Sequence, residues 1–150
     1  MNLEYGEITT PISIERIRRI FDTEGWGYEL AGSQIQTGFR GMPLVVTYFP
    51  EHDRLDFTAT IVAESLNREE NAILDFIEEW HRTKVVPKAY LHENAEGEKI
   101  LQLEQILIFS DSQQIAFGAT DAQLDHALRN FIFAALAFRD EFFESLGTKN

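Results

Sequence analysis

From Thr120 to Gly147 the chain has no proline and no internal glycine, while Leu124, Leu128, Phe131, Ala135, Phe138 and Phe142 recur at alternating spacings of four and three. That pattern demands a long helix, which at about 1.5 Å per residue approaches roughly 40 Å. Thr120 and Gln123 have the spacing of a capping box, in which each side chain satisfies a backbone donor left open at the helix start. Ile132, Leu136 and Phe143 add a second apolar line beside the first. A helix packed once on a sheet needs a single stripe about 100° wide, so the extra face requires another surface. Either a sheet wraps further around the helix or a second polypeptide covers it. Because symmetric pairs are the commonest oligomers, the expectation is a homodimer or partner interface through Leu128, Phe131, Ala135, Phe138 and Phe142.

The rest of the chain changes period twice. Ile14, Ile17, Ile20 and Phe21 have helical spacing, with Thr10 and Pro11 ahead of them and Gly25 as a stop. Strand texture follows from Trp26 to Val62, where Leu55, Phe57, Ala59 and Ile61 alternate with polar residues; Gly32-Ser33, Gly41 and Pro50 to Asp53 are the turns. Three or four antiparallel strands fit this stretch. Asn67 and Glu70 again have capping-box spacing and open a helix with Ile73, Ile77 and Trp80 as its buried stripe, widened by Leu74 and Phe76 and ending near Thr83. Lys88 to Glu93 and Lys99 to Phe109 form a second hairpin around Gly97. The predicted fold is α+β, an antiparallel sheet with helices in the order α-βββ-α-ββ-α. It forms one domain over residues 1–150 with a flexible segment at 1–10.

Composition limits the function. A net charge of -12 repels nucleic-acid phosphates, and the absence of cysteine removes disulfides and thiolate chemistry. The longest apolar run, Phe131 to Phe138, is far short of the roughly 20 residues of a membrane span, and Met1 to Thr10 lacks the basic and apolar blocks of a secretory signal. His52, His81, His92 and His126 show no metal-ligand spacing, no glycine-rich phosphate loop occurs, and none of the serines lies in a nucleophile elbow. The expectation is therefore a cytoplasmic non-enzyme without metal or other cofactor, binding neither nucleic acid nor membrane.

One charge contrast stands out against this acidity. No acid occurs between Glu79 and Glu93, and Trp80, His81, Arg82, Lys84, Lys88 and Tyr90 fall in the gap. Trp80, His81, Arg82, Lys88 and Tyr90 are the candidate partner or ligand patch, although cations at a helix C-terminus also complement its dipole.

The stretch Glu79-Trp80-His81-Arg82-Thr83-Lys84-Val85-Val86-Pro87-Lys88-Ala89-Tyr90-Leu91, with Gly25-Trp26-Gly27-Tyr28, resembles the YbjN family of bacterial sensory-transduction regulators, in which an asparagine often stands where His81 does. The resemblance implies a fold like the type III secretion chaperones, usually dimeric and non-enzymatic, holding partners by apolar patches and sheet edges. The expected function is a homodimeric protein-binding module, chaperone-like or regulatory, whose partners are itself and an unidentified protein. The alternative is a small-ligand sensor with a pocket lined by Trp26, Trp80 and Tyr90.

Overall fold

The computed structural model describes residues 9–61, 69–109 and 118–147. In chain order the elements are α1 (Ile14–Glu24), β1 (Glu29–Ala31), β2 (Gln34–Phe39), β3 (Met42–Phe49), a short 3-10 turn (Pro50–His52), β4 (Arg54–Ile61), α2 (Glu70–Thr83), β5 (Lys88–Glu93), β6 (Lys99–Ile108) and α3 (Asp121–Leu146). The six strands form one sheet in the order β1-β2-β3-β4-β6-β5, so β5 and β1 are its outermost strands. The observed order has four strands before α2. The added one, β1, has three exposed residues, too few to display a period, and is held through its pairing of Leu30 with Ile35.

The chain divides into two compact units, each assembled from separated stretches. One comprises Met1–Thr37, Val45–Phe57 and Ile106–Asn130. Here the Ser13 hydroxyl accepts the Arg16 N–H at 3.3 Å to start α1, and Gly25, at φ +74°, closes it. Ile17 and Phe21 are the buried residues of α1, and Ile35, Val46, Leu55, Phe57, Leu124 and Leu128 of the same unit are buried as well. The Thr120–Gln123 box is present in full: Gln123 N–H donates to the Thr120 hydroxyl at 3.0 Å and Thr120 N–H to Gln123 Oε1 at 2.9 Å. Thr10, assigned above to a flexible segment, is instead bridged to Ala119 by a pair of backbone hydrogen bonds. Residues 1–8 of that segment lie outside the described residues.

The other unit comprises Gly38–Leu44, Thr58–Gln105 and Phe131–Asn150. Ile73, Ile77 and Trp80 of α2 are buried as the period requires, but Leu74 stands 44 % exposed because it falls on the flank of the stripe. The N-cap of α2 is Glu69, which makes no side-chain capping bond; Asn67, the expected cap, lies outside the described residues. Ala89, Leu101 and Leu103 face the core, so Tyr90, Gln102 and Glu104 turn to the other side of the sheet.

The apolar seam of α3 corrects an expectation. Leu128, Phe131, Ala135, Phe138 and Phe142 are all 0 % exposed within a single chain, so none of these side chains presents surface to a second one. Part of the cover over this seam is α2. Phe138 meets Trp80 at 4.9 Å between ring centroids and Phe76 at 5.2 Å, while Phe142 meets Phe76 at 5.4 Å. The apolar residue that α3 does leave open is Phe133, on the opposite side of the helix.

Candidate functional site

The site begins where α2 ends. Trp80 and His81 are adjacent on the last turn, and each anchors one side of the link into β5. The Trp80 indole N–H donates to the Val86 carbonyl at 3.3 Å, and His81 Nε2 accepts the Ala89 N–H at 2.9 Å. Between these bonds the chain passes through a cis Val86–Pro87 peptide. Lys84 N–H also bonds back to the Trp80 carbonyl at 2.8 Å, closing the helix.

The His81 bond reveals the orientation of β5. A strand residue sends its N–H and C=O to the same side, and that side alternates along an antiparallel strand. Because His81 holds the Ala89 N–H, Ala89 points its backbone groups away from β6, and so do Leu91 and Glu93. The neighbour on the other side is β6, with Ala89 opposite Leu103 and Leu91 opposite Leu101. The free side of β5 thus carries the Leu91 N–H and C=O, while its first donor is occupied by an imidazole.

Charges divide this edge into two ends. At the start lie Arg82, Lys84 and Lys88, and at the close Glu93, Glu96 and Glu98. Arg82 pairs with Glu79 at 3.0 Å, and Lys84 reaches Glu141 at 3.5 Å and stands 4.3 Å over the Trp80 ring. Lys88 makes no ion pair within the described residues; its ammonium lies 5.8 Å from the Tyr90 ring centroid. His81, Arg82, Thr83, Lys84, Val85 and Lys88 line an open depression of about 480 Å³, with Val85 95 % exposed. On the solvent side of the β5–β6 pair, Tyr90 Oη lies 3.5 Å from Glu104 Oε2 and His92 Nε2 lies 3.1 Å from Gln102 Oε1. Partial burial, then the neighbouring Glu104 charge, raises the Tyr90 phenol above its ordinary pKa, so Tyr90 is a neutral donor there.

Of the five patch residues, His81, Arg82 and Lys88 meet around the depression, whereas Trp80 is buried beneath it and Tyr90 faces the solvent side of the sheet. That arrangement also changes the sensor expectation. Trp80 is enclosed by Phe76 and Phe138, Tyr90 turns to the other face, and Trp26 packs edge-on against Phe21 at 5.5 Å, so each ring has its own neighbours. Among the described residues, no group of three His, Asp or Glu side chains could hold a metal ion, and no helix is long and apolar enough to cross a membrane. Leu91, Glu93 and Val85 are site residues that the sequence pattern did not single out. Their significance depends on β5 being outermost, which no period encodes.

His81 is therefore a positioning residue for the edge. His81→Gln, whose Oε1 reaches a place similar to Nε2, should hold stability within about 0.5 kcal/mol; His81→Leu should cost about 1 kcal/mol and speed exchange of the Ala89 amide. Chemical denaturation and amide hydrogen exchange check both, and unchanged Ala89 protection in His81→Leu would contradict the assignment.

A six-stranded antiparallel sheet with three helices in this order defines an α+β protein whose fold is like that of the type III secretion chaperones. The chain belongs to the YbjN family, described as "Putative bacterial sensory transduction regulator", whose model matches residues 13–144. Its fold is similar to the crystal structure of YbjN, a "putative transcription regulator" from E. coli, with a TM-score of 0.72 at 13% identity over 95% of this chain and 100% of that one. A chain of the crystal structure of the ExsC–ExsE complex is similar at a TM-score of 0.54 and 16% identity, covering 90% of this chain and 92% of that one. No curated protein sequence matches the chain.

Proposed function

We propose that this chain is a non-enzymatic, cytoplasmic protein-binding module, chaperone-like or regulatory, that works as a homodimer. The observation carrying this reading is the edge of β5, which pairs with no further strand among the described residues and joins main-chain hydrogen-bonding groups to a charged depression. Strand addition at such an edge draws affinity from backbone bonds and selectivity from the side chains that flank them. Family membership and a fold shared with a chain of a two-protein complex support the same reading. The histidines point away from catalysis, since His81 holds a backbone amide and His92 a glutamine side chain.

Recovery of the tagged protein from its host after mild cross-linking should return a second protein at near-stoichiometric yield, as mass spectrometry will show. Its binding to the purified chain should weaken at least tenfold with Leu91→Pro, which deletes the outward N–H while leaving the β6 ladder intact. Recovery of the chain alone, or a partner indifferent to Leu91→Pro, counts against the reading.

A further inference from the structure

From the cleft between α1 and the first turns of α3 we infer a binding site for a free α-amino acid with an aliphatic side chain. The cleft shares no residue with the β5 edge, so the protein-binding reading above neither requires nor excludes it. Two ion pairs bridge its ends, Arg16 with Asp121 at 2.8 Å and Arg129 with Glu24. Both join residues 105 positions apart in the chain, so the two helices run side by side in the same direction. On each helix the bridges stand about two turns from one another, which leaves an opening about 12 Å long. Its volume is about 260 Å³, just below the roughly 300 to 1,000 Å³ of pockets that hold drug-sized ligands. A space of this size, bridged at both ends, suits a small molecule and not a continuing peptide.

The lining selects the ligand's chemistry. Ile20 and the buried Leu124 supply an apolar surface between the helices. On the α1 wall stand Arg19 and Thr23; Arg19 is exposed and takes part in no hydrogen bond or ion pair among the described residues. Arg16, one turn earlier, is not available, because its guanidinium is committed to Thr10, Pro11, Ala119 and Asp121. On the α3 wall, Asp121 uses Oδ1 for Arg16 and Asp125 uses Oδ2 for Arg129, each at 2.8 Å. Each carboxylate keeps a second oxygen with no bond among the described residues. One wall thus offers a guanidinium that accommodates an anion, and the other offers two oxygens that accept from a cation. A ligand of a single charge would match one wall and be repelled by the other. An α-amino acid carries its carboxylate and its ammonium on the same carbon, and an aliphatic side chain covers Ile20 and Leu124.

The test is thermal unfolding of the full-length protein with each common L-amino acid at about 5 mM, followed by calorimetric titration. Leucine and its aliphatic relatives should raise the melting temperature saturably, with one site per chain. Leucinamide, which lacks the carboxylate, and 4-methylpentanoate, which lacks the ammonium, should each bind at least about tenfold more weakly than leucine. Arg19→Gln should weaken leucine about tenfold, leave leucinamide unchanged and keep the melting temperature of the free protein, because Arg19 bonds to nothing described in the fold. Absence of a saturable shift with every amino acid, or a shift confined to charged or aromatic ones, would overturn the assignment. Equal binding of leucine and either analogue, or leucine binding that Arg19→Gln leaves intact, would overturn it as well. None of these outcomes bears on a second protein recovered with the chain, which Leu91→Pro tests separately.

Discussion

Replacing Phe138 with glutamate should unfold the chain rather than separate a dimer. Phe138 is fully buried, with Trp80, Phe76 and Phe142 rings at 4.9, 5.2 and 6.2 Å between centroids. Truncating a buried phenylalanine to alanine costs about 3 to 5 kcal/mol through lost contacts and the cavity left behind. A carboxylate in that space adds the penalty of an unpaired buried charge. Since a domain of this size has about 5 to 15 kcal/mol of stability, Phe138→Ala should fold with a greatly lowered denaturation midpoint, and Phe138→Glu should lose the native near-ultraviolet dichroism. Phe133→Glu, on the open side of the same helix, should stay within about 0.5 kcal/mol of wild type. A folded, monomeric Phe138→Glu beside a dimeric wild type would return the interface to the seam.

This contrast marks how far sequence reasoning reached. Period revealed α1, the strand hairpins and the buried stripe of α2, and period together with the Thr120–Gln123 cap revealed the full length of α3, because each depends on residues near one another in the chain. The seam spacing on α3 picked out residues that are buried. Their spacing could not reveal that part of their cover is Phe76 and Trp80 of the same chain, for that contact depends on how α2 is placed in space. The same limit applies to the candidate site. A basic and aromatic cluster was visible from Trp80 to Tyr90, yet only the strand order makes β5 an edge, and only the His81 bond reveals which backbone groups face outward. Trp80 was legible as a core residue from its helical period and as a patch member from its neighbours; burial decides for the core. The stretch from Trp80 to Ala89 is thus largely a clamp that sets the path into β5.

The second large effect is expected at Gly118→Ala, far from any charge pattern. Gly118 has φ +77°, and a Cβ built there stands 2.0 Å from the Thr10 carbonyl oxygen, with backbone on both sides of the clash. Relief requires the Thr10–Ala119 bridge to open. The Arg16 guanidinium is tied to that bridge, donating to the carbonyls of Thr10 at 2.7 Å, Pro11 at 3.1 Å and Ala119 at 2.8 Å and to Asp121 at 2.8 Å. Its side chain is only 9 % exposed, so its bonds have little water to replace them. Gly118→Ala should therefore cost about 3 kcal/mol or more, whereas Gly32→Ala, at φ +62° with open space around its Cβ, should cost only the backbone strain, about 1 kcal/mol. Arg16→Ala should cost about 2 to 3 kcal/mol by itself. If one bridge carries both losses, the double variant must fall short of their sum by about 1 kcal/mol or more, which equilibrium denaturation of the four proteins measures directly. Strict additivity would mean that Arg16 holds the start of α3 through Asp121 alone, and that the strand contact at Thr10 is independent of it.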